Sequence, residues 1–210
     1  APGIAKREIG LLAAPIPGYL KQLAEHLPEG CHAMILAIAP SSEGAMRELA
    51  TLWRGEVTYT KDAEEIARTS RTLLEYTWNH TTLVAFKVDK GITYLQSAFT
   101  PGQHLEQVRR MEKLLSPEVQ MHAEFLRNLD GQVTCTALQI VRFSTEERLQ
   151  EIMQLYRDNG VRINDPHVFI VEDGKAGGAL APTTIATKKR FDPLNLLNPG
   201  KVRAWAQGLQ

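Results

Sequence analysis

Two cysteines in 210 residues, Cys31 and Cys135, leave no material for a disulfide framework or a cysteine-rich metal site. Both fall in apolar, strand-like runs, so each is expected as a small buried thiol in a reducing, cytoplasmic setting. Net charge is absent as well: 24 Lys and Arg balance 24 Asp and Glu. No overall field therefore draws the chain to nucleic acid or to an anionic membrane. No apolar run approaches the roughly 18–20 residues of a membrane-spanning helix. The longest, Ala33 to Ala39, has the length of a strand. The opening Ala1-Pro2-Gly3-Ile4-Ala5-Lys6 has neither a signal-peptide pattern nor an initiating Met, and is expected to belong to a longer polypeptide. The six histidines show no HxH or HExxH spacing, so no metal is expected. Neither GxGxxG nor GxxxxGK(S/T) occurs, so the chain carries no phosphate cradle of its own.

What is present is an ordinary 43% apolar content arranged with clear periods. Pro15, Pro17 and Gly18 suggest a loop leading into a helix over Tyr19 to His26, followed by a strand over Cys31 to Ala39. Ser42 is placed to cap a helix with Met46, Leu49, Ala50 and Trp53 on one face, and Glu56 to Tyr59 suggests the next strand. Asp62 and Glu65 form a capping-box pattern that starts a helix toward Leu74. Ile92 to Phe99 is expected as a strand and His104 to Leu115 as a helix. Val119, Met121, Ala123 and Phe125 alternate with Gln120, His122 and Glu124, the period of a half-exposed strand. Asp130-Gly131 then turns the chain into a partner strand over Val133 to Val141. Ser144 and Glu147 cap a helix that buries Leu149, Ile152, Met153 and Tyr156, and His167 to Val171 is expected as the last strand. Strands mixed with helices and a hairpin predict an α+β fold, with a largely antiparallel, ferredoxin-like sheet covered by helices on one face. Gly177, Gly178 and Pro182 mark a link, dividing residues 1–174 from a tail at 175–210.

The densest set of reactive side chains is Glu75-Tyr76-Thr77-Trp78-Asn79-His80-Thr81-Thr82. His80 has the chemistry of a general base near neutral pH, and Trp78 that of a wall for an aromatic ring. The plain alternative is that Trp78 packs in the core while Asn79 and His80 satisfy backbone groups at a helix break. A second set is Asn164-Asp165-Pro166-His167 followed by Glu172-Asp173-Gly174. An odd spacing would send His167 and Glu172 to opposite faces of an extended strand.

Three segments carry a family likeness. The tail Phe191-Asp192-Pro193-Leu194-Asn195-Leu196-Leu197-Asn198-Pro199-Gly200-Lys201 resembles the C-terminal signature of FAD-linked oxidases, the superfamily of vanillyl-alcohol oxidase and the glycolate oxidase flavin subunit. Pro166 to Gly174 and Leu73 to Leu83 resemble the strand before that tail and a cap-domain segment of one branch. The resemblance implies a cap domain at 1–174, lacking its first elements, and a tail that returns to a separate FAD-binding domain. It implies FAD as cofactor of the intact enzyme, not retained by this chain alone, and a small hydroxy acid such as lactate or glycolate as substrate. His80 would be catalytic; Trp78, Asn79, His167 and Glu172 would meet substrate; Asn198 and Lys201 would lie near the cofactor. A Glu-Asp-Gly stands where metal-dependent relatives have Glu-His-Gly. Partners implied are the FAD-binding domain and a small substrate, with no nucleic acid or membrane span and with a homodimer left open. A different class of function is also open: a non-catalytic, ferredoxin-like ligand-sensing or protein-interaction module.

Overall fold

In the computed structural model, which describes residues 3–206, the chain runs through β1 (Lys6–Leu12), β2 (Ala33–Ile38), α1 (Glu43–Leu52), α2 (Ala63–Thr69) and α3 (Trp78–Val88). It continues through β3 (Ile92–Phe99), α4 (His104–Leu115), β4 (Val119–Gln120), β5 (His122–Arg127) and β6 (Val133–Arg142). The last elements are α5 (Glu146–Asp158), β7 (Arg162–Asn164), α6 (Pro182–Phe191) and α7 (Arg203–Ala206). All strands join one antiparallel sheet in the order β2-β1-β5-β6-β3-β7, with β4 also pairing β6. Within it, β3-α4-β5-β6-α5-β7 is a β-α-β-β-α-β unit whose strands lie as β7-β3-β6-β5, the ferredoxin-like arrangement. β1 and β2 extend that unit beyond β5. The expected α+β class with an antiparallel sheet is what the chain adopts.

The period of two decides what each face buries. Leu95, Phe99, Ala123, Cys135, Ala137 and Val141 point to one face. There they meet Met111 and Leu115 of α4 and Leu149, Ile152, Met153 and Tyr156 of α5. Each fully buried Leu, Ile or Met adds about 1.5–3 kcal/mol. The α5 stripe was written in the spacing of its apolar residues, and Thr145, one residue after Ser144, supplies the cap by accepting from Arg148 N at 3.2 Å. The other face is covered as well. Leu12, Ile35, Ile92 and Ile140 pack there with Ala85 of α3 and with Ile16, Leu20 and Leu23 of two 3-10 segments, Ile16–Tyr19 and Lys21–His26.

Several local expectations are corrected. The opening holds a strand, β1, second from the edge of the sheet between β2 and β5, and the helix expected over Tyr19 to His26 is 3-10. Glu56 to Tyr59 pairs with no strand. Instead the Tyr59 ring is stacked on His26, with centroids 4.1 Å apart. The stripe on α1 leaves Met46, Leu49 and Ala50 only half-buried, and Trp53 at its end is 79% exposed. Cys135 is buried as expected, but Cys31 lies before β2 and is exposed. His167 to Val171 is not a strand: the Asp165 carboxylate accepts His167 N at 2.8 Å, taking a donor that a ladder would need. No helix among the described residues is long and apolar enough to cross a membrane.

Candidate functional site

β5 contradicts the half-exposed reading of its pattern. Gln120, His122 and Glu124 are as buried as the apolar residues they alternate with. They point to the α3 face, where register puts Gly10 and Thr136 beside Glu124, and Leu12 beside His122. Gly10 is required there: a Cβ would stand 2.8 Å from Glu124 Oε2 and 3.2 Å from Thr77 Cγ2. A strand-interior glycine makes room for a carboxylate and for the helix above it.

That carboxylate holds the start of α3. Glu124 Oε1 accepts the Trp78 backbone N–H at 2.9 Å and the His122 Nε2–H at 2.6 Å. Thr77, the residue at the cap position, gives no side-chain cap of its own, so an acid from across the sheet does the work. Glu8 of β1 accepts the Trp78 indole N–H at 2.7 Å, and Thr77 Oγ1 lies 3.3 Å from the same oxygen. Trp78 sits at φ +52°, a left-handed conformation that costs a bulky residue of order 1–3 kcal/mol and persists only when its surroundings hold it. Two acids from two strands hold it here. The consequence is that Asn79 and His80, the next residues, are carried on the exposed first turn of α3.

Beneath the turn, polar atoms remain without a protein partner: His122 Nδ1, Glu124 Oε2, both amide atoms of Gln120, Thr136 Oγ1 and Thr82 Oγ1. Leaving a buried donor or acceptor unpaired costs about 1–3 kcal/mol each. An apolar row would serve the core better. A strained turn over an under-satisfied polar row is therefore a mark of a site.

The remaining candidate residues lie elsewhere. α3 begins over β1 and β5, while its Phe86 meets Tyr94 of β3, whose ring in turn meets His167 edge-on at 4.6 Å. At 1.5 Å per residue, Trp78 and Phe86 are about 12 Å apart along the helix, with His167 beyond. The structure thus joins Trp78, Asn79 and His80 but leaves His167 outside that group. Exposed His167 borders a cleft of about 820 Å³ with Thr93, Arg157 and Lys175. Its Nδ1 is 3.3 Å from Thr93 Oγ1. Glu172 is buried and accepts Ala204 N at 3.0 Å, tying the start of α7 to the sheet domain. Burial alone would raise its carboxyl, but the N–H groups of Ala204 and Arg203, with the Arg203 charge, hold it below the usual carboxylate range. Lys201 returns to the same corner: its carbonyl accepts Val171 N at 2.9 Å and its ammonium lies 3.5 Å above the Phe169 ring.

The tail loop is ordered from within. Asp192 accepts Leu196 N at 2.7 Å and Leu197 N at 3.0 Å and pairs with Lys188. The Lys188 contact, with those amides, keeps the Asp192 carboxyl below its usual range. Asn198 is exposed at φ +52° before the Pro199-Gly200 turn. Around it Phe191, Leu194, Leu196 and Leu197 are each at least 64% exposed.

Among the described residues no three His, Cys, Asp or Glu side chains converge as a metal site would need. Sequence reasoning singled out the turn but missed Glu8 and Glu124, which hold it, and His122 and Gly10, which bond Glu124 and make room for it. The usable signal was Gly10 inside a strand-like run, opposite a strand carrying His and Glu two residues apart. Compared with models of known protein families and with curated proteins, the chain matches none.

Proposed function

We propose that this chain is the substrate-side region of an FAD-dependent oxidoreductase that oxidises a small hydroxy acid, acting with a separate FAD-binding domain. The observation that carries the reading is the anchoring of Trp78: Glu8 and Glu124 hold a strained residue so that Asn79 and His80 stand on an exposed turn. A flavin presents an aromatic ring with a polar edge, and an indole, an amide and an imidazole suit that ring and a small polar substrate. Its diphosphate finds no glycine-rich cradle opening a helix in this chain. The residues therefore fit the reacting end of the cofactor and leave the phosphates to the partner.

FAD, when bound, supplies the hydride acceptor. His80 is the group in this chain suited to take the substrate's hydroxyl proton, with Trp78 and Asn79 positioning the substrate. Asn198 and Lys201 belong to the tail, which the reading directs toward the cofactor, and the exposed leucines beside Asn198 are the surface the partner domain would cover. His167 and Glu172 shape the corner where the tail docks.

The test is a polypeptide extended by the coding sequence upstream of Ala1, compared with residues 1–210 alone. The expected outcome is a yellow, stoichiometric flavoprotein from the longer chain and weak FAD binding by the shorter one. In the flavoprotein, His80→Ala should slow single-turnover flavin reduction. A colourless extended protein refutes the reading, and an unchanged rate removes His80 from the site.

A further inference from the structure

The segment that leads into the Trp78 turn lines a second cleft, of about 470 Å³, within the usual range for small-molecule sites. Its walls include Gln22, Tyr59, Lys61, Arg71, Thr72 and Tyr76, and no Asp or Glu is among the lining residues. Neither Lys61 nor Arg71 has an ion pair or side-chain hydrogen bond among the described residues. Arg47, Arg110, Arg148 and Arg203, by contrast, each meet a carboxylate. Two cations thus share one cleft with no carboxylate among its lining residues.

Local structure builds this arrangement. Asp62 caps α2 by accepting Glu65 N at 2.8 Å, and Ser70 ends the helix at φ +53°. That left-handed residue, without being glycine, turns the chain directly before Arg71. Tyr59 is fixed by its stack on His26, and its phenol donates to Glu65 Oε1 at 3.4 Å. Burial first, then Glu65, raises the Tyr59 phenol, whose proton is committed to Glu65. Two carboxylates act on this wall, Glu65 at the phenol and Glu25 beside His26 at 3.4 Å, and neither lines the cleft. Thr72 Oγ1 accepts Leu74 N at 3.2 Å, which leaves its hydroxyl proton free to donate. The cleft thus offers two cations, the Thr72 hydroxyl and the Gln22 amide to whatever enters it.

We propose that this cleft binds the doubly charged oxyanion of a small molecule, a phosphate monoester or a dicarboxylate, between Lys61 and Arg71. Arg71 supplies a planar fork and Lys61 a point charge, the combination that recognises such groups. The inference stands apart from the flavin reading, since nothing in it needs a flavin or a second domain.

The experiment is isothermal titration calorimetry of the 210-residue chain with inorganic phosphate, with succinate and with uncharged succinamide. Lys61→Gln, Arg71→Gln and, as a control on α6, Lys189→Gln are titrated alongside, with thermal midpoints confirming that each variant is folded. One-site binding of phosphate or succinate is expected, with none for succinamide. Arg71→Gln and Lys61→Gln should each weaken it by about tenfold, the loss of one charge-assisted hydrogen bond, while Lys189→Gln changes nothing. Tighter phosphate binding assigns a phosphate monoester, and tighter succinate binding a dicarboxylate. The proposal is overturned if neither anion saturates, if both cleft variants bind as the parent does, or if Lys189→Gln weakens binding as much as Arg71→Gln.

Discussion

Gly10→Ala probes the buried anchor at its tightest point. The new methyl would stand 2.8 Å from Glu124 Oε2, 3.2 Å from Oε1 and 3.2 Å from Thr77 Cγ2. A carboxylate at the end of a free side chain would swing aside, but this one is held by Trp78 N at 2.9 Å and His122 Nε2 at 2.6 Å. Relieving the clash therefore means stretching one of those bonds or lifting Thr77 and the start of α3. Overpacking of this kind costs about 1–3 kcal/mol. Replacing glycine also stiffens the unfolded chain, which returns about 0.4–1 kcal/mol. The net expectation is a loss of about 1–2 kcal/mol, read from urea unfolding at pH 7 as a lower midpoint with an unchanged slope. The decisive measurement is the same substitution made in a Glu124→Ala background. With the carboxylate gone, the 2.8 Å and 3.2 Å contacts with its oxygens are removed, and most of the cost should disappear. If Gly10→Ala is as stable as the parent, or loses as much without Glu124 as with it, the anchor does not work as described.

Three further outcomes are expected. Because the folded Glu172 carboxyl is held below its unfolded value of about 4.3, its contribution is complete above that pH and fades as pH falls through the folded value. Amide exchange at Ala204 should accordingly accelerate only on the acid side, and Glu172→Gln should show the fast exchange at every pH. Asp192→Ala should remove exchange protection at Leu196 and Leu197 while leaving β6 amides protected, because its acceptor oxygens serve that loop and Lys188 of α6 and not the sheet. Burial raises the Cys135 thiol to about 12 whereas Cys31 is exposed. Ellman's reagent should therefore titrate one thiol in the folded protein and two in denaturant.

How far the chain could be read in advance followed from where its contacts are local. α4, α5, β3 and the β5–β6 hairpin carry their burial in their own spacing, so Met111, Leu149 and Tyr156 were legible without a partner in view. β1 was not, because Lys6, Arg7 and Glu8 dilute its alternation and its place between β2 and β5 depends on distant strands. Alternation on β5 was seen, but polarity was equated with solvent, and Glu124 faces inward only because α3 brings Trp78 N to it from 46 residues away. The Trp78-Asn79-His80 group was visible by composition. Its support was not, since Glu8 and Gly10 look like ordinary surface and turn residues until the sheet sets them side by side.

The loop around Asp192 has a thermodynamic consequence. Its backbone is already closed on Asp192 and Lys188 in the free chain, with Leu194, Leu196 and Leu197 turned outward. Any surface that covers those leucines meets a rigid projection, so little chain entropy remains to be lost on contact. Association there should be close to rigid-body docking, with a heat-capacity change set by the apolar area covered and no added component from folding a segment.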